Sequence, residues 1–299
     1  MKILTLDIGN TRAKAALFER KTEAGKALVG FQPLFQHQNL TDFLSALQSF
    51  CAKEKIEVGV FSTVRRLEAD FETALSSLGF KWLPFQADAP LPIQTSYQTP
   101  HTLGLDRLAG VLGADYLYPN EKVLVVDAGT CITYDLLDRI ATEKSQKVGV
   151  YRGGSISLGL QMRWNALAHF TAKLPLVSAL PLIEAAQKEA DFWEKWHLQH
   201  IGVDTHSSLV TGVLKGLLGE IGFQIQSYYQ KEGIERVLFC GGDTSFFENM
   251  AKNSIFASSF PALAQGKLAF SFCYDLLFYG LYHYTCHQIG LPIENPNAL

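Results

Sequence analysis

Two hydrophobic segments of this chain end in the same kind of polar turn, and both turns carry residue types suited to phosphate chemistry. Residues 3–8 read ILTLDI and lead into Gly9-Asn10-Thr11, while residues 123–126 read VLVV and lead into Asp127-Ala128-Gly129-Thr130. In such a turn the Asp can hold a hydrated metal ion, and the Gly lets backbone N–H groups approach a phosphate. Because Asp7 and Asp127 are 120 residues apart (127 − 7), the repetition predicts a duplicated α/β domain that closes on a nucleotide.

The spacing of hydrophobic residues predicts the elements that hold the first turn. In the first half we expect strands at 3–8, 13–19, 28–35, 58–62 and 82–85, and helices at 40–53, 67–78 and 105–116. Thr41 is the predicted N-cap of the 40–53 helix. Residues 88–100 contain Pro90, Pro92 and Pro100 and are predicted to form a loop.

The second half repeats this order of strand, turn and strand. We expect strands at 122–126, 131–136, 147–151 and 237–239, and helices from 157 to about 170, at 183–200, from 205 to about 229, and at 268–287. Trp193 and Trp196 are interpreted as a packing stripe of the 183–200 helix. The boundary near Pro119-Asn120 divides the chain into predicted domains 1–118 and 119–299.

The composition of the chain indicates which broad classes of protein it fits and which it does not. The chain has 299 residues, of which 47% are hydrophobic and 18% charged, with a net charge of −3, which is typical of a two-domain globular enzyme. A mildly acidic chain without a Lys/Arg cluster gives no reason to expect nucleic-acid binding. Asp7 interrupts the first hydrophobic segment, so a signal peptide is not expected. No hydrophobic segment of the chain approaches the ~20 residues of a membrane span, so a membrane partner is not expected either. The five cysteines are scattered and indicate free thiols in a reducing cytoplasm.

Six short motifs follow one another along the chain: Asp7-Ile8-Gly9-Asn10-Thr11, Gly104-Leu105-Asp106-Arg107, Asp127-Ala128-Gly129-Thr130, Gly153-Gly154-Ser155-Ile156, Thr171-Ala172-Lys173-Leu174-Pro175 and Gly241-Gly242-Asp243. They stand in the order found in type III pantothenate kinases, and the chain resembles that family of the actin-like ATPase and sugar kinase superfamily. The resemblance implies an α/β fold of two duplicated actin-like (ribonuclease H-like) domains with mixed sheets flanked by helices. One position departs from the family pattern, since Leu158 precedes Gly159 where a proline is usual, and this puts the stiffness of that loop in doubt.

The resemblance implies an ATP site with two cations. Asp7 would hold Mg²⁺ through water, and Asp127 would coordinate a monovalent cation, K⁺ or NH₄⁺. Lys14 either reaches the phosphates or is a solvated strand lysine. The residues implied to contact ATP are Asp7, Ile8, Gly9, Asn10, Thr11, Arg12, Ala13, Lys14 and Thr130.

The resemblance also implies pantothenate as the phosphate acceptor and Asp106 as its general base. An ionised Asp accepts a proton from a primary alcohol, although Asp106 could instead stabilise a helix N-terminus. The guanidinium of Arg107 suits the carboxylate of pantothenate. Further substrate contacts are expected from Tyr97, Gly104, Leu105 and Thr205. Members of the family are homodimers with the substrate pocket at the subunit interface, so some contacts are expected from a partner chain.

Two alternatives remain open at the level of the sequence. The Asp-bearing turns would also serve a kinase of another small alcohol, such as a sugar, but the Gly104–Arg107 motif with Tyr97 favours pantothenate. A nucleotide-gated regulatory protein would bind ATP without phosphorylating an alcohol, and a retained Asp106 counts against it. The small residues Gly212, Gly216 and Gly219 favour close helix packing, in a dimer or within the chain itself.

Overall fold

The computed structural model describes residues 1–23, 26–142, 147–189, 192, 201–252 and 268–293. The described strands are β1 (Lys2–Ile8), β2 (Ala13–Glu23), β3 (Lys26–His37), β4 (Val58–Thr63), β5 (Lys81–Pro84), β6 (Gln94–Thr95), β7 (Val123–Ala128), β8 (Cys131–Ala141), β9 (Lys147–Leu158), β10 (Arg236–Cys240) and β11 (Ala269–Phe272). The helices are α1 (Leu40–Cys51), α2 (Ala69–Ser76), α3 (Leu105–Leu117), α4 (Leu160–Phe170), α5 (Ala179–Lys188), α6 (Thr205–Glu232), α7 (Thr244–Ala251) and α8 (Leu276–Gln288), and Pro100–Thr102 forms a 3₁₀ turn.

The strands form two mixed sheets that repeat one topology. The first sheet has the order β3-β2-β1-β4-β5, and the second has the order β11-β10-β7-β8-β9-β6. β1 is antiparallel to β2 and parallel to β4, and β7 is likewise antiparallel to β8 and parallel to β10. The five strands of the first sheet thus correspond in order to five of the second. The predicted fold of two duplicated mixed sheets flanked by helices is confirmed.

The chain divides into two compact units. Unit 1 contains Met1–Asn120, Ile140–Tyr151 and Asp275–Leu299, and unit 2 contains Glu121–Arg139 and Arg152–Tyr274. In unit 1, α1 and α2 pack through Phe43 and Phe71 into a core with β1. The division into an N-terminal domain 1–118 and a C-terminal domain 119–299 stays a prediction.

The C-terminal helix α8 packs against α3 within unit 1. A Cβ built at Gly280 would lie 1.8 Å from the carbonyl oxygen of Ala109, so the two helix backbones are in direct contact. The buried His283 Nε2 lies 3.0 Å from Asp115 Oδ2 and joins the same two helices. These contacts fix α3, whose first turn carries Asp106 and Arg107.

No helix of the described ranges is long and apolar enough to cross a membrane.

Several predicted element boundaries are wrong, and local hydrogen bonds give the reason for the first. Asn39, rather than Thr41, caps α1, because the Asn39 side chain accepts a bond of 2.7 Å from the Thr41 N–H. The predicted loop at 88–100 contains strand β6, because Gln94 and Thr95 pair with β9. Prolines on either side of this short segment leave its backbone free to pair.

Two helix predictions in the second half are also corrected. The helix expected from residue 157 begins at Leu160, because β9 continues to Leu158. The hydrophobic segment 268–287 is split, with β11 pairing in parallel with β10 before α8 begins at Leu276. A short apolar segment fits a strand as well as a helix, and only pairing with a neighbour distinguishes them. Of the helix expected at 183–200, α5 covers the start, while Trp193 and Trp196 lie outside the described residues.

Candidate active site

The first Asp-bearing turn joins β1 to β2 and presents unused backbone donors. Ile8 and Ala13 are fully buried and face each other across the pair, and the Gly9 N–H donates to the Arg12 carbonyl at 3.0 Å. The N–H groups of the exposed Asn10 and Thr11 have no acceptor among the described residues. With the Thr11 hydroxyl they form a set of donors suited to a phosphate.

Charged side chains of unit 1 surround the base of this turn. Asp7 lies opposite Lys14 in the register of β1 and β2. Burial raises the pKa of Asp7 to about 6, the positive charge of Lys14 lowers it, and the negative charge of Asp106 raises it further. Burial also raises the pKa of Asp275, again opposed by Lys14. Asp7 therefore interacts electrostatically with both Lys14 and Asp106, and all three residues lie in unit 1.

Asp106 lies in the first turn of α3, two residues after Gly104. Its Oδ1 accepts a hydrogen bond of 2.8 Å from the Arg107 N–H. A Cβ at Gly104 would lie 2.5 Å from that same oxygen, so the glycine provides the space in which the carboxylate sits. Leu105 begins the helix itself. The helix-start contact and a role as base are compatible, since the second carboxylate oxygen is not needed for this bond.

The predicted substrate residues Tyr97 and Arg107 are in contact. The Arg107 guanidinium carbon lies over the Tyr97 ring, 5.8 Å from its centre, and Arg107 is buried. Tyr97 also stacks on the fully buried Tyr151, with ring centres 5.8 Å apart and planes 3° from parallel. Such stacking restricts the orientation of Tyr97.

Tyr151 is a site residue that the sequence did not indicate. It reaches Tyr97 because β6 pairs with β9, placing Thr95 opposite Tyr151, and the Ser96 N–H donates to the Tyr151 carbonyl at 2.8 Å. The segment around residue 95 was predicted to be a loop, so its pairing with β9 was not expected. No local sequence pattern indicates this pairing.

The second Asp-bearing turn, at the end of β7, lies in unit 2 against the Gly241-Gly242-Asp243 turn. Gly241 has φ +93°, and a Cβ there would lie 2.3 Å from Asp127 Oδ1, so only glycine fits. The Asp243 N–H donates to the Ala128 carbonyl at 2.8 Å, and burial raises the pKa of Asp243 to about 6. Asp243 belongs to one of the six motifs, but the sequence analysis did not predict it as a residue of the site. Thr130 is exposed at this turn.

Thr205 is the first residue of α6 and also lies in unit 2. Asp204 caps this helix, accepting a bond of 2.8 Å from the Ser207 N–H. Thr205 lines an open, largely apolar groove of about 1000 Å³ between α4 and α6. We call this the α4–α6 groove; its other lining residues include Leu158, Phe170, Leu174, Val203 and Gly216. Tyr97, Gly104, Leu105, Asp106 and Arg107 belong to the other unit.

The sequence analysis implies one carboxylate for each cation, Asp7 for Mg²⁺ and Asp127 for a monovalent cation. Within the described ranges, no group of three or more His, Cys, Asp or Glu side chains converges to hold a metal. Mg²⁺ in phosphate-transferring sites is commonly bound by one or two carboxylates, waters and the phosphates themselves, so such an ion does not require a group of three protein ligands. The carboxylate of Asp127 and the carbonyl of Ala128 both line the position of Gly241, and such oxygen ligands suit a monovalent cation.

Two sheets of one topology, with Asp-bearing turns after β1 and after β7, define the chain as a protein of the actin-like ATPase and sugar kinase class. A family model of type III pantothenate kinases matches residues 3–227. The chain belongs to the type III pantothenate kinase family, as the sequence motifs predict. It is therefore a kinase with ATP as its phosphate donor.

Two individual relatives are named as members of this family. A type III pantothenate kinase from Christiangramia forsetii is 37% identical over 256 residues, covering 86% of this chain and 92% of the relative. One from Phocaeicola vulgatus is 34% identical over 261 residues, covering 87% and 94%. Among solved structures, a putative Baf family transcriptional activator from Campylobacter jejuni is similar at a TM-score of 0.48 and 19% identity, covering 96% of this chain and 100% of that one.

Proposed function

We propose that this protein transfers the γ-phosphoryl group of ATP to the primary hydroxyl of pantothenate, forming 4'-phosphopantothenate in the first step of coenzyme A biosynthesis. The observation that carries the proposal is the contact between Tyr97 and Arg107 beside Asp106. This arrangement offers a cation for a carboxylate, an aromatic surface and a base within a few residues, which matches an acid that also bears a primary alcohol.

The turn after β1 is the proposed phosphate site. The N–H groups of Asn10 and Thr11 and the Thr11 hydroxyl would donate to phosphate oxygens, and Lys14 would add a positive charge. Asp7 would hold Mg²⁺ through water, and when bound this ion neutralises charge on the phosphates. The remaining residues of the segment from Ile8 to Ala13, including Gly9 and Arg12, would line the nucleotide. This site is supported by free donors beside a buried carboxylate.

The turn after β7 is the proposed site of the second cation. Asp127 would coordinate K⁺ or NH₄⁺ together with neighbouring carbonyl oxygens, and Thr130 would contact ATP. A monovalent cation here would offset negative charge on the bound nucleotide, which a single Mg²⁺ leaves partly uncompensated. Gly241 supports this assignment, since it gives the Asp127 carboxylate room beside the Ala128 carbonyl.

At the acceptor, Arg107 would bind the pantothenate carboxylate while Tyr97, Gly104 and Leu105 line its pocket. Asp106 would accept the hydroxyl proton as the alcohol oxygen bonds to the γ-phosphorus. The bond between that phosphorus and its bridging oxygen breaks, and ADP leaves with the electron pair. The protein contributes position and charge, and no covalent intermediate is needed.

A homodimer in the cytoplasm completes the proposal, with Thr205 reaching the substrate across the subunit interface. The α4–α6 groove supports it, because Phe170 and Val203 are 81% and 87% exposed along the same groove, and contiguous exposed apolar surface is typical of interaction sites. The cytoplasmic location is supported by five free cysteines. Light scattering should give a dimer of the 33.2 kDa chain, and Gly216→Trp, which fills the groove, should weaken it. An active monomer would refute the shared pocket.

The direct test is a coupled assay of ADP release with pantothenate and, separately, with a panel of sugars. We expect release with pantothenate only, and Arg107→Ala should raise the KM of pantothenate much more than the KM of ATP. Release with a sugar but not with pantothenate would transfer the assignment to another small alcohol. ATP binding without release for any alcohol would favour the regulatory alternative.

A further inference from the structure

Arg65, which belongs to none of the sequence motifs, holds the backbone of the proposed phosphate turn. It follows β4, and its Nε donates to the Gly9 carbonyl at 2.9 Å. One of its terminal nitrogens donates to the Asn10 carbonyl at 3.2 Å and also to that of Gly9. The guanidinium thus bridges two consecutive carbonyls more than fifty residues away in sequence.

The backbone that presents Arg65 is itself fixed. The Arg65 N–H donates to Thr63 Oγ1 at 3.2 Å, and the same hydroxyl donates to the Arg65 carbonyl at 2.9 Å. The Val64 N–H donates to the Ile8 carbonyl at 3.3 Å, which ties this segment to the end of β1. A side chain anchored at its base in this way reaches the turn with less loss of conformational freedom.

The bridge determines where the two free donors of the turn point. In a planar trans peptide the carbonyl of one residue and the N–H of the next point in opposite directions. Holding the carbonyls of Gly9 and Asn10 towards Arg65 therefore turns the N–H groups of Asn10 and Thr11 away from it. These are the two groups that have no acceptor among the described residues.

We propose that Arg65 is a positioning residue for ATP, which orients the Asn10 and Thr11 N–H groups towards the phosphates. Its bonds to the turn go to neutral carbonyls, so its permanent charge also remains beside the anion. This inference rests on the proposed function, because it assumes that the turn after β1 binds the nucleotide.

The test compares Arg65→Ala with Arg66→Ala, which removes the neighbouring exposed arginine. In steady-state kinetics Arg65→Ala should raise the KM of ATP by about 10-fold, the scale of a lost charge-assisted bridge, and leave the KM of pantothenate unchanged. Calorimetric titration with ADP should show weakening of the same size. Arg66→Ala should match the unmodified enzyme in both measurements. Equal effects of the two arginines would overturn the inference, since only general charge would then matter.

Arg65→Lys separates orientation from charge. Lysine keeps the positive charge but has no planar fork to bridge two carbonyls, so most of the loss in ATP affinity should persist. Full recovery with lysine would show that the charge alone acts and would overturn the positioning role. The melting temperature of each variant is also measured without nucleotide, so that a loss of folding is not mistaken for a loss of ATP binding.

Thr11→Ala distinguishes failure of this inference from failure of the proposed function. If Thr11→Ala raises the KM of ATP and Arg65→Ala does not, the turn binds ATP without needing Arg65, and only the inference fails. If neither variant changes the KM of ATP or the affinity for ADP, the turn is not the nucleotide site. The proposed function then fails at this step.

Discussion

Replacing Asp7 with Asn should stabilise the protein at neutral pH while removing its activity. Burial is the largest cause that raises the pKa of Asp7 from 3.8 to about 6, with Lys14 opposing the change and Asp106 adding to it. An ionised carboxylate at this position therefore destabilises the folded protein in the absence of nucleotide and metal. Asn has nearly the same shape and cannot ionise.

The size and sign of the effect follow from these two pKa values. Between pH 3.8 and about 6 the unfolded carboxyl is ionised while the folded one holds its proton, so this group makes the folded state less stable as pH rises. Above that window the penalty is constant. At about 1.36 kcal/mol for each pH unit, the interval corresponds to at most about 3 kcal/mol. The advantage of Asp7→Asn should therefore grow by that amount from pH 4 to pH 7 and then level off.

Urea unfolding of the two proteins without nucleotide or Mg²⁺, at several values from pH 4 to pH 8, measures this difference. Asp88→Asn, which removes an exposed carboxylate of unit 1, is the matched control and should show a flat difference across the range. In the same preparations Asp7→Asn should reduce kinase turnover by about 100-fold or more, because the proposed Mg²⁺ ligand is lost. A pH-independent stability difference for Asp7→Asn would refute the reasoning that burial raises its pKa.

Three further predictions address the base, the second cation and the helix contact. Asp106→Asn should keep its affinity for ADP and pantothenate yet lose about 100-fold or more in kcat, and near-normal kcat in a folded variant would leave Asp106 only its role at the helix start. Activity should be higher in K⁺ or NH₄⁺ than in Na⁺, and Asp127→Ala should abolish that preference; full activity in sodium alone would contradict the cation site. Gly280→Ala places a Cβ 1.8 Å from a carbonyl oxygen and should cost more than about 2 kcal/mol in urea unfolding. Gly212→Ala, another helical glycine with open space around it, should instead be neutral or stabilising by up to about 1 kcal/mol, and equal effects would disprove the close helix packing.

The sequence alone determined the features that depend on neighbouring residues. The apolar segments around Asp7 and Asp127, each followed by a glycine and a threonine, predicted the two strands and turns because alternation and turn chemistry are local. Their repetition predicted the duplicated fold, and six motifs in order predicted the family. Some predicted elements were wrong, such as the helix expected from Leu268, because the same apolar residues suit either a strand or a helix.

Tertiary structure decided which distant residues share a site. Arg65 reaches the turn at Gly9, and Tyr151 stacks on Tyr97, through contacts between segments that are far apart in sequence. Gly280 brings α8 against α3 because it has no side chain, and nothing near it in the sequence names its partner. Burial likewise raised the pKa of Asp7, since a carboxyl loses water only when other parts of the chain pack around it. The local pattern of residues predicts a strand or helix and the turn that follows it. The surroundings of each side chain depend on how the strands pair and the helices pack in the whole unit.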